Sequence, residues 1–320
     1  MADNGPVNDV APTPEALRRI AEEATTPRSN GVSASRMIGQ LVLFPLAIVG
    51  VCVAIYLLYS LLTREERTAR DLLNEVRAGG SSRRWQAAYS LSAMLARPDG
   101  KGIDAALVPE VIRAFEEAKR DDPRVRRYLA RLFGPLGDRR AVPALIGALE
   151  DPDDETRLFV VESLGRLRDT SSVIPLLRQA ESDDPGIKKM VAYTLGLIRD
   201  GRALPTLQGM LSASDPNVRW NAALALCRFQ DRSGTPVIEE MLNREFLGRV
   251  RVGDAAQGEE AMSAEQQEEA MLNAIRGVVL LKERSLTPTL RALKASDPSL
   301  KVRQAAIEAL GVLEGDSGGS

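Results

Sequence analysis

Residues 215–229 read Asp-Pro-Asn-Val-Arg-Trp-Asn-Ala-Ala-Leu-Ala-Leu-Cys-Arg-Phe. Asp is a preferred helix N-cap, and proline suits the first helical position, where no intrahelical donor is needed. Counted from Arg219, Leu226 at +7 and Phe229 at +10 fall on one side of a helix, so the stretch predicts an amphipathic helix with a buried stripe. The phase recurs upstream: Arg126, Arg157, Lys188 and Arg219 stand at one constant interval (157−126, 188−157, 219−188). Their apolar partners are Phe133 and Leu136, Leu164 and Leu167, Leu195 and Ile198. Pro143, Pro175, Pro205 and Pro236 mark a second helix in each unit. A helix pair of this size cannot bury its stripe alone, so the units must stack into an α-solenoid.

The pattern continues both ways. Arg84 with Leu91, Met94 and Pro109 forms an earlier copy, and Arg303 with Leu310 and Leu313 a last one that has only its first helix. The interval from Arg219 to Arg303 is longer than two periods, and it accommodates one degenerate copy (Met271, Val278, Leu281, then Pro288) and an insertion over 245–270. Asp122-Pro123, Asp151-Pro152, Asp184-Pro185, Asp215-Pro216 and Asp297-Pro298 each precede a first helix, where the aspartate is expected to cap it. Gly134, Gly165, Gly196 and Gly311 follow the +7 residue, where a missing side chain lets helices approach or loosens the last turn.

The run from Asp215 and the run Arg140-Ala-Val-Pro-Ala-Leu-Ile-Gly-Ala-Leu-Glu-Asp resemble HEAT repeats of the short, phycobilin-lyase-like type over about residues 82–314. The resemblance implies an all-α, right-handed α-solenoid of six to seven helix pairs. It also implies a stacked polar ladder of Asp122, Asp151, Asp184, Asp215 and Asp297 with Arg126, Arg157, Lys188, Arg219 and Arg303. It is specific for fold and not for function.

The N-terminal part has a different character. No charged residue occurs from Met37 to Thr63, and 38–62 is an almost unbroken apolar run between Arg36 and Arg64. At about 1.5 Å per residue it is long enough for a hydrocarbon core of roughly 30 Å, so one transmembrane helix is expected. Arg64, Arg67, Arg70 and Arg77 on the C-terminal flank, against Arg28 and Arg36 on the other, place the solenoid in the cytoplasm. The expected organisation is a disordered leader over 1–37, the span over 38–62, a helical stalk and hinge over 63–81, the solenoid over 82–314 and a disordered tail over 315–320. Within the leader, Thr13-Pro14-Glu15 is a helix start.

Composition narrows the chemistry. The chain has no histidine, which removes Ser/His/Asp and Cys/His catalysis and histidine-ligated metals. The two cysteines, Cys52 in the apolar run and Cys227 in a repeat helix, have no evident disulfide partner. No phosphate loop or nucleophile elbow is present, so no enzyme, cofactor or metal site is expected. Basic and acidic residues nearly cancel, 42 against 44. The cluster Arg124, Arg126, Arg127, Arg131, Arg139 and Arg140 is interleaved with Asp121, Asp122 and Asp138 and is expected to be a solvated face, which argues against nucleic acid.

A protein partner remains. Three residues after each second-helix proline stand Ile146, Arg178, Gln208, Glu239 and Arg291, a chemically mixed row suited to a protein. Trp85 and Trp220 follow a register arginine and are candidate contact anchors. The insertion offers Phe246, Leu247, Val250 and Val252 ahead of an acidic stretch, a candidate selectivity element. A membrane-anchored scaffold is the leading expectation; the rivals are a nucleic-acid-binding HEAT protein and a phycobilin-lyase-like enzyme or chaperone.

Overall fold

The computed structural model describes residues 13–25, 44–62, 67–94, 103–254 and 258–315. The chain divides into two units, Met1–Glu66 and Arg67–Ser320. In the first, α1 (Pro14–Thr25) begins at the Thr13-Pro14 start and α2 (Phe44–Leu62) carries the apolar run. Every described side chain of α2, from Phe44 to Tyr59, is exposed. The whole helix, 19 residues, covers about 28 Å, just short of a hydrocarbon core of roughly 30 Å. Among the described residues no helix is long and apolar enough to cross a membrane. The expected span also includes residues 38–43, which lie outside the described residues, as do most of the expected leader and 316–320.

The second unit is a stack of helix pairs. First helices are α4 (Ser81–Met94), α6 (Pro123–Leu136), α8 (Asp154–Leu167), α10 (Pro185–Ile198), α12 (Pro216–Arg228) and α15 (Ala264–Leu281). Their second helices are α5 (Val108–Glu117), α7 (Val142–Ile146), α9 (Val173–Gln179), α11 (Leu204–Met210), α13 (Thr235–Met241) and α16 (Thr287–Ser296). A further first helix, α17 (Leu300–Gly315), follows. The +7 residues Leu91, Phe133, Leu164, Leu195, Leu226 and Leu310 are all buried, as the stripe requires. Burying a leucine or phenylalanine contributes about 1.5–3 kcal/mol, so this row is a principal source of cohesion.

The segment expected as a stalk is different. Thr68 and Asp71 form a capping box at the start of α3 (Ala69–Ala78), and Leu72, Leu73 and Val76 are buried in the same core as Ala87 and Leu91. Arg84 Nε donates to the Val76 carbonyl at 2.7 Å, fixing α3 to α4. The apolar side of α3 therefore covers the open end of the stack, and Gly79-Gly80 form a turn within packed structure.

Glycine and termination chemistry separate cleanly. A Cβ on Gly196 would lie 2.7 Å from Ala225 Cβ and 2.9 Å from Ala225 Cα, and one on Gly165 would lie 2.9 Å from Thr194 Oγ1. Gly134 faces Ser163, whose Oγ accepts from Gly134 N–H at 3.1 Å and donates to the Ala130 carbonyl at 2.7 Å. These glycines form a seam where successive first helices touch; Gly311 faces open space. The helices end three residues later, in left-handed conformation at Gly137, Arg168 and Arg199.

The core changes partners at α12. Val218, Ala222, Ala225 and Leu226 join the cluster that runs back to Leu72, whereas Trp220, Ala223 and Cys227 join one that runs on to Leu313. The insertion is built rather than loose over its described part: α14 (Arg244–Arg249) leads into strands β1 (Arg251–Asp254) and β2 (Gly258–Ala261), paired antiparallel with Arg251 opposite Ala261. Leu247, Val250 and Met262 are buried and pack it back onto the stack.

Candidate partner-binding surfaces

Of the polar ladder expected between units, the structure provides one rung. Arg126 Nε reaches Asp151 Oδ2 at 2.5 Å, both side chains buried, and Arg126 Nη1 donates to the Phe115 carbonyl at 2.7 Å. Arg157 instead donates to the Asp151 carbonyl at 2.8 Å, and Arg219 to those of Ala213 and Ser214 at 2.8 and 2.9 Å. The register arginines thus satisfy carbonyls left over where the preceding helix ends. Asp122, Asp184 and Asp215 cap α6, α10 and α12 through their carboxylates. In the α8 unit the cap is Asp153, not Asp151, because two extra residues shift the helix start to Asp154. Asp297 binds Arg244, just ahead of the insertion, through two hydrogen bonds of 2.9 and 3.0 Å.

The arginine cluster is not a merely solvated face. Arg127 forms a fork on Asp153, 2.7 and 2.5 Å, and holds its carboxyl down at about 2, with the Thr156 hydroxyl and N–H adding to the effect. Arg124 pairs with Asp122, and Arg140 with Asp138. Arg140 also donates to the Ala105 carbonyl and Arg202 to the Thr170 carbonyl, linking neighbouring units.

A second register joins the first. Asp138, Asp169, Asp200 and Asp231 recur at the same constant interval as the register arginines (169−138, 200−169, 231−200). Each caps a short 3-10 turn that feeds a second helix, by accepting from the N–H two residues on. Sequence reasoning missed this row, although its signal is present as an aspartate shortly before each second-helix proline.

On that row Arg178, Gln208, Glu239 and Arg291 are exposed and Ile146 is half-buried. Ile146 and Arg178 line one hollow with Glu150 and Gln179, about 170 Å³ in volume. Gln208 Nε2 is held by Asp231 Oδ2 at 2.9 Å. Glu239 lines another hollow, about 450 Å³, with Asn243, Arg244 and Thr289. Arg291 is paired with Glu314 at 2.8 Å. The structure therefore brings the row together as adjoining patches on consecutive units rather than as one pocket.

The tryptophans behave differently from each other. Trp85 is half-buried, with the Arg124 guanidinium 4.5 Å above its ring. Trp220, a candidate contact anchor, is only 5 % exposed, because α15 and the insertion pack over that side of α12. Phe246 is half-buried against the same cluster. Cys227 is buried against Gly277, and burial pushes its thiol up to about 12. Among the described residues no group of acidic or cysteine side chains is arranged to hold a metal ion.

Trp220 borders a cleft of about 460 Å³ between α12, α13, α15 and the hairpin. Asn217, Asn221 and Leu224 of α12 face Gln266, Glu269 and Asn273 of α15 across it, with Met241, Val252 and Met262 among its apolar lining.

Residues 112–187 and 175–256, in the middle of the stack, match the family model described as HEAT repeats. No curated protein matches the chain. Similar solved structures include the complex of CpcE and CpcF of phycocyanin lyase from Nostoc sp. PCC7120. It shows 22% identity, covers 79% of this chain and 96% of that one, and superposes with a TM-score of 0.49. An Escherichia coli protein, YibA, shows 12% identity over 80% and 96% of the two chains, with a TM-score of 0.46. Human deoxyhypusine hydroxylase in complex with glycerol shows 16% identity over 77% and 84%, with a TM-score of 0.33. These likenesses assign this chain no activity.

Proposed function

We propose that the chain is a membrane-anchored scaffold whose HEAT-repeat stack holds a protein partner at the membrane surface. The observation that carries the reading is the row Ile146, Arg178, Gln208, Glu239 and Arg291, presented on consecutive second helices and exposed at four of its five positions. Its mixture of apolar, amide, acidic and basic groups matches the polar rim and small apolar patches of protein interfaces. A polyanion finds less purchase, because Arg124, Arg126, Arg127 and Arg140 are engaged by carboxylates of the stack itself.

Anchoring is supported by sequence and exposure together. The run from Ile38 to Leu62 contains no charge, and the described apolar side chains of α2 are exposed, Phe44 at 67 % and Leu46 at 65 %. An uncovered apolar surface of that extent requires a lipid or protein partner. The arginine excess after the run supports a cytoplasmic stack.

Affinity purification of the full chain from detergent-solubilised membranes tests the reading. The expected result is one stoichiometric protein, bound about tenfold more weakly by the Arg178→Glu variant, which reverses the charge at the row's second position. Recovery of the chain alone would overturn it.

A further inference from the structure

Two rows of connections border the stack, and they carry opposite charge. The turns from first to second helix within a unit read Gly-Asp-Arg-Arg-Ala from Gly137, Arg-Asp-Thr-Ser-Ser from Arg168, Arg-Asp-Gly-Arg-Ala from Arg199, Gln-Asp-Arg-Ser-Gly from Gln230 and Lys-Glu-Arg-Ser-Leu from Lys282. Together they hold eight cations against five acids, and the longer segment 95–107 of the first unit holds two of each. The connectors between units outside the insertion, 118–122, 147–153, 180–184, 211–215 and 297–299, hold two cations against ten acids. Arg140 donates to the Ala105 carbonyl and Arg202 to the Thr170 carbonyl, so neighbouring turns lie side by side along one edge. Every acid stands second in its turn, accepts from the N–H two residues on, and is half-buried or buried, whereas all eight cations are exposed. What this edge presents is therefore basic. The helix dipole accounts for Arg168, Arg199 and Lys282, which cap first helices in left-handed conformation. It gives no reason for the arginines at the third and fourth positions, which stand at the start of second helices, where a cation is disfavoured.

We infer that the edge formed by these turns docks on the anionic lipid headgroups of the membrane that the chain is proposed to enter. The inference rests on the anchored-scaffold reading and adds to it the face that the stack turns to the bilayer. The path of the chain favours this occupant. α3 and α4 are joined by the Gly79-Gly80 turn and share a core through Leu73 and Leu91, so they form an antiparallel hairpin. α4, like every first helix, runs toward the turns, so α3 starts beside them. The chain thus enters the stack on the basic edge, where Arg67 and Arg70 stand against Asp71. Leu62 ends the apolar run five positions before Arg67 (67−62), a link of at most about 18 Å. Arginines this near an anionic leaflet are drawn to it, and headgroups in a fluid layer meet cations at any spacing. A nucleic acid offers phosphates at a fixed, close spacing, which turns of units about 10 Å apart match poorly.

The test uses the full chain in nanodiscs of phosphatidylcholine, with or without phosphatidylserine, in a Cys52→Ala background. A fluorescent donor is attached to Thr170→Cys on the turn edge or to Ser212→Cys on the connector edge, both exposed positions, and a headgroup-labelled lipid is the acceptor. The expected result with phosphatidylserine is stronger energy transfer from position 170 than from position 212. The difference should shrink in phosphatidylcholine alone and in about 1 M salt, where the Debye length falls to roughly 3 Å. Arg168→Glu with Arg199→Glu, and separately Arg139→Glu with Arg232→Glu, each checked for native helix content, should shrink it likewise. Transfer indifferent to phosphatidylserine, or unchanged by both double variants, overturns the proposal. Self-association abolished by the reversals while transfer stays fixed also overturns it, and assigns the edge to the acidic connectors of a second copy. The two readings fail separately. A chain that stays inserted but shows no phosphatidylserine dependence refutes the edge and leaves the anchor. A chain that alkaline carbonate strips from membranes refutes the anchor. The edge then stands if the parent floats with phosphatidylserine vesicles and the double variants bind about tenfold more weakly, and falls if the parent does not float.

Discussion

Arg126 and Asp153 show how far single residues determine this stack. Arg126 is enclosed with Asp151, 7 % and 4 % exposed at the side chain, and its guanidinium lies 4.3 Å over the Phe115 ring. Removing one member of a buried pair strands the other charge, so Arg126→Ala should cost about 3–5 kcal/mol, read as a fall in the urea midpoint of unfolding. Arg157→Ala should cost less, about 1 kcal/mol, since its ion pair with Asp154 is largely solvated and its remaining bond is to a loop carbonyl. Asp153 makes stability depend on pH. Its folded value of about 2 lies below the ordinary 3.8, so its contribution is complete above about pH 4 and is lost as pH falls through 2. The side chain keeps 15 % exposure, and about 2 kcal/mol is an upper bound after screening. The parent should therefore exceed Asp153→Asn in stability at pH 7 and lose that advantage by pH 2; a constant difference across the range would sink the assignment.

At the scale of elements, the glycine seam decides how closely first helices stack. Gly196→Ala places a methyl group 2.9 Å from the Ala225 backbone, and overpacking of about 1–3 kcal/mol should outweigh a helix-propensity gain of roughly 1. Gly311→Ala meets nothing within 4 Å and should stabilise by about 0.5–1 kcal/mol. Thermal unfolding of the two variants should therefore shift in opposite directions. The aspartate row 138, 169, 200 and 231 is legible in the sequence, yet Asp-Pro is the stronger mark because it carries two helix-start signals in adjacent positions. An aspartate five or six positions before a proline signals a cap only once the intervening 3-10 turn is known.

At the scale of the whole molecule, the proposed membrane anchor raises the question of which side of a membrane the repeats would face. Arg64, Arg67, Arg70 and Arg77 outnumber the arginines near the other flank, which predicts a cytoplasmic stack. Protease added to intact cells should leave the fragment from Arg67 onward whole, and membrane permeabilisation should expose it. Digestion without permeabilisation would move the stack, and the search for its partner, to the opposite compartment.

The sequence by itself determined the period, the helix starts and the buried stripe, because caps, prolines and apolar spacing act on neighbours within a turn or two of the chain. It also marked the insertion, as a break in that period. Only the tertiary structure decided which carboxylate each arginine meets, since Arg126 with Asp151 and Arg244 with Asp297 are joined across 25 and 53 residues by the way units pack. It likewise decided that Leu72, Leu73 and Val76 close the end of the core and that Trp220 is enclosed beside a polar cleft. A contact anchor at Trp220 would need that side of α12 to be open. Here α15 and the inserted segment pack over it, and no local pattern around Trp220 records what a segment much later in the chain will cover.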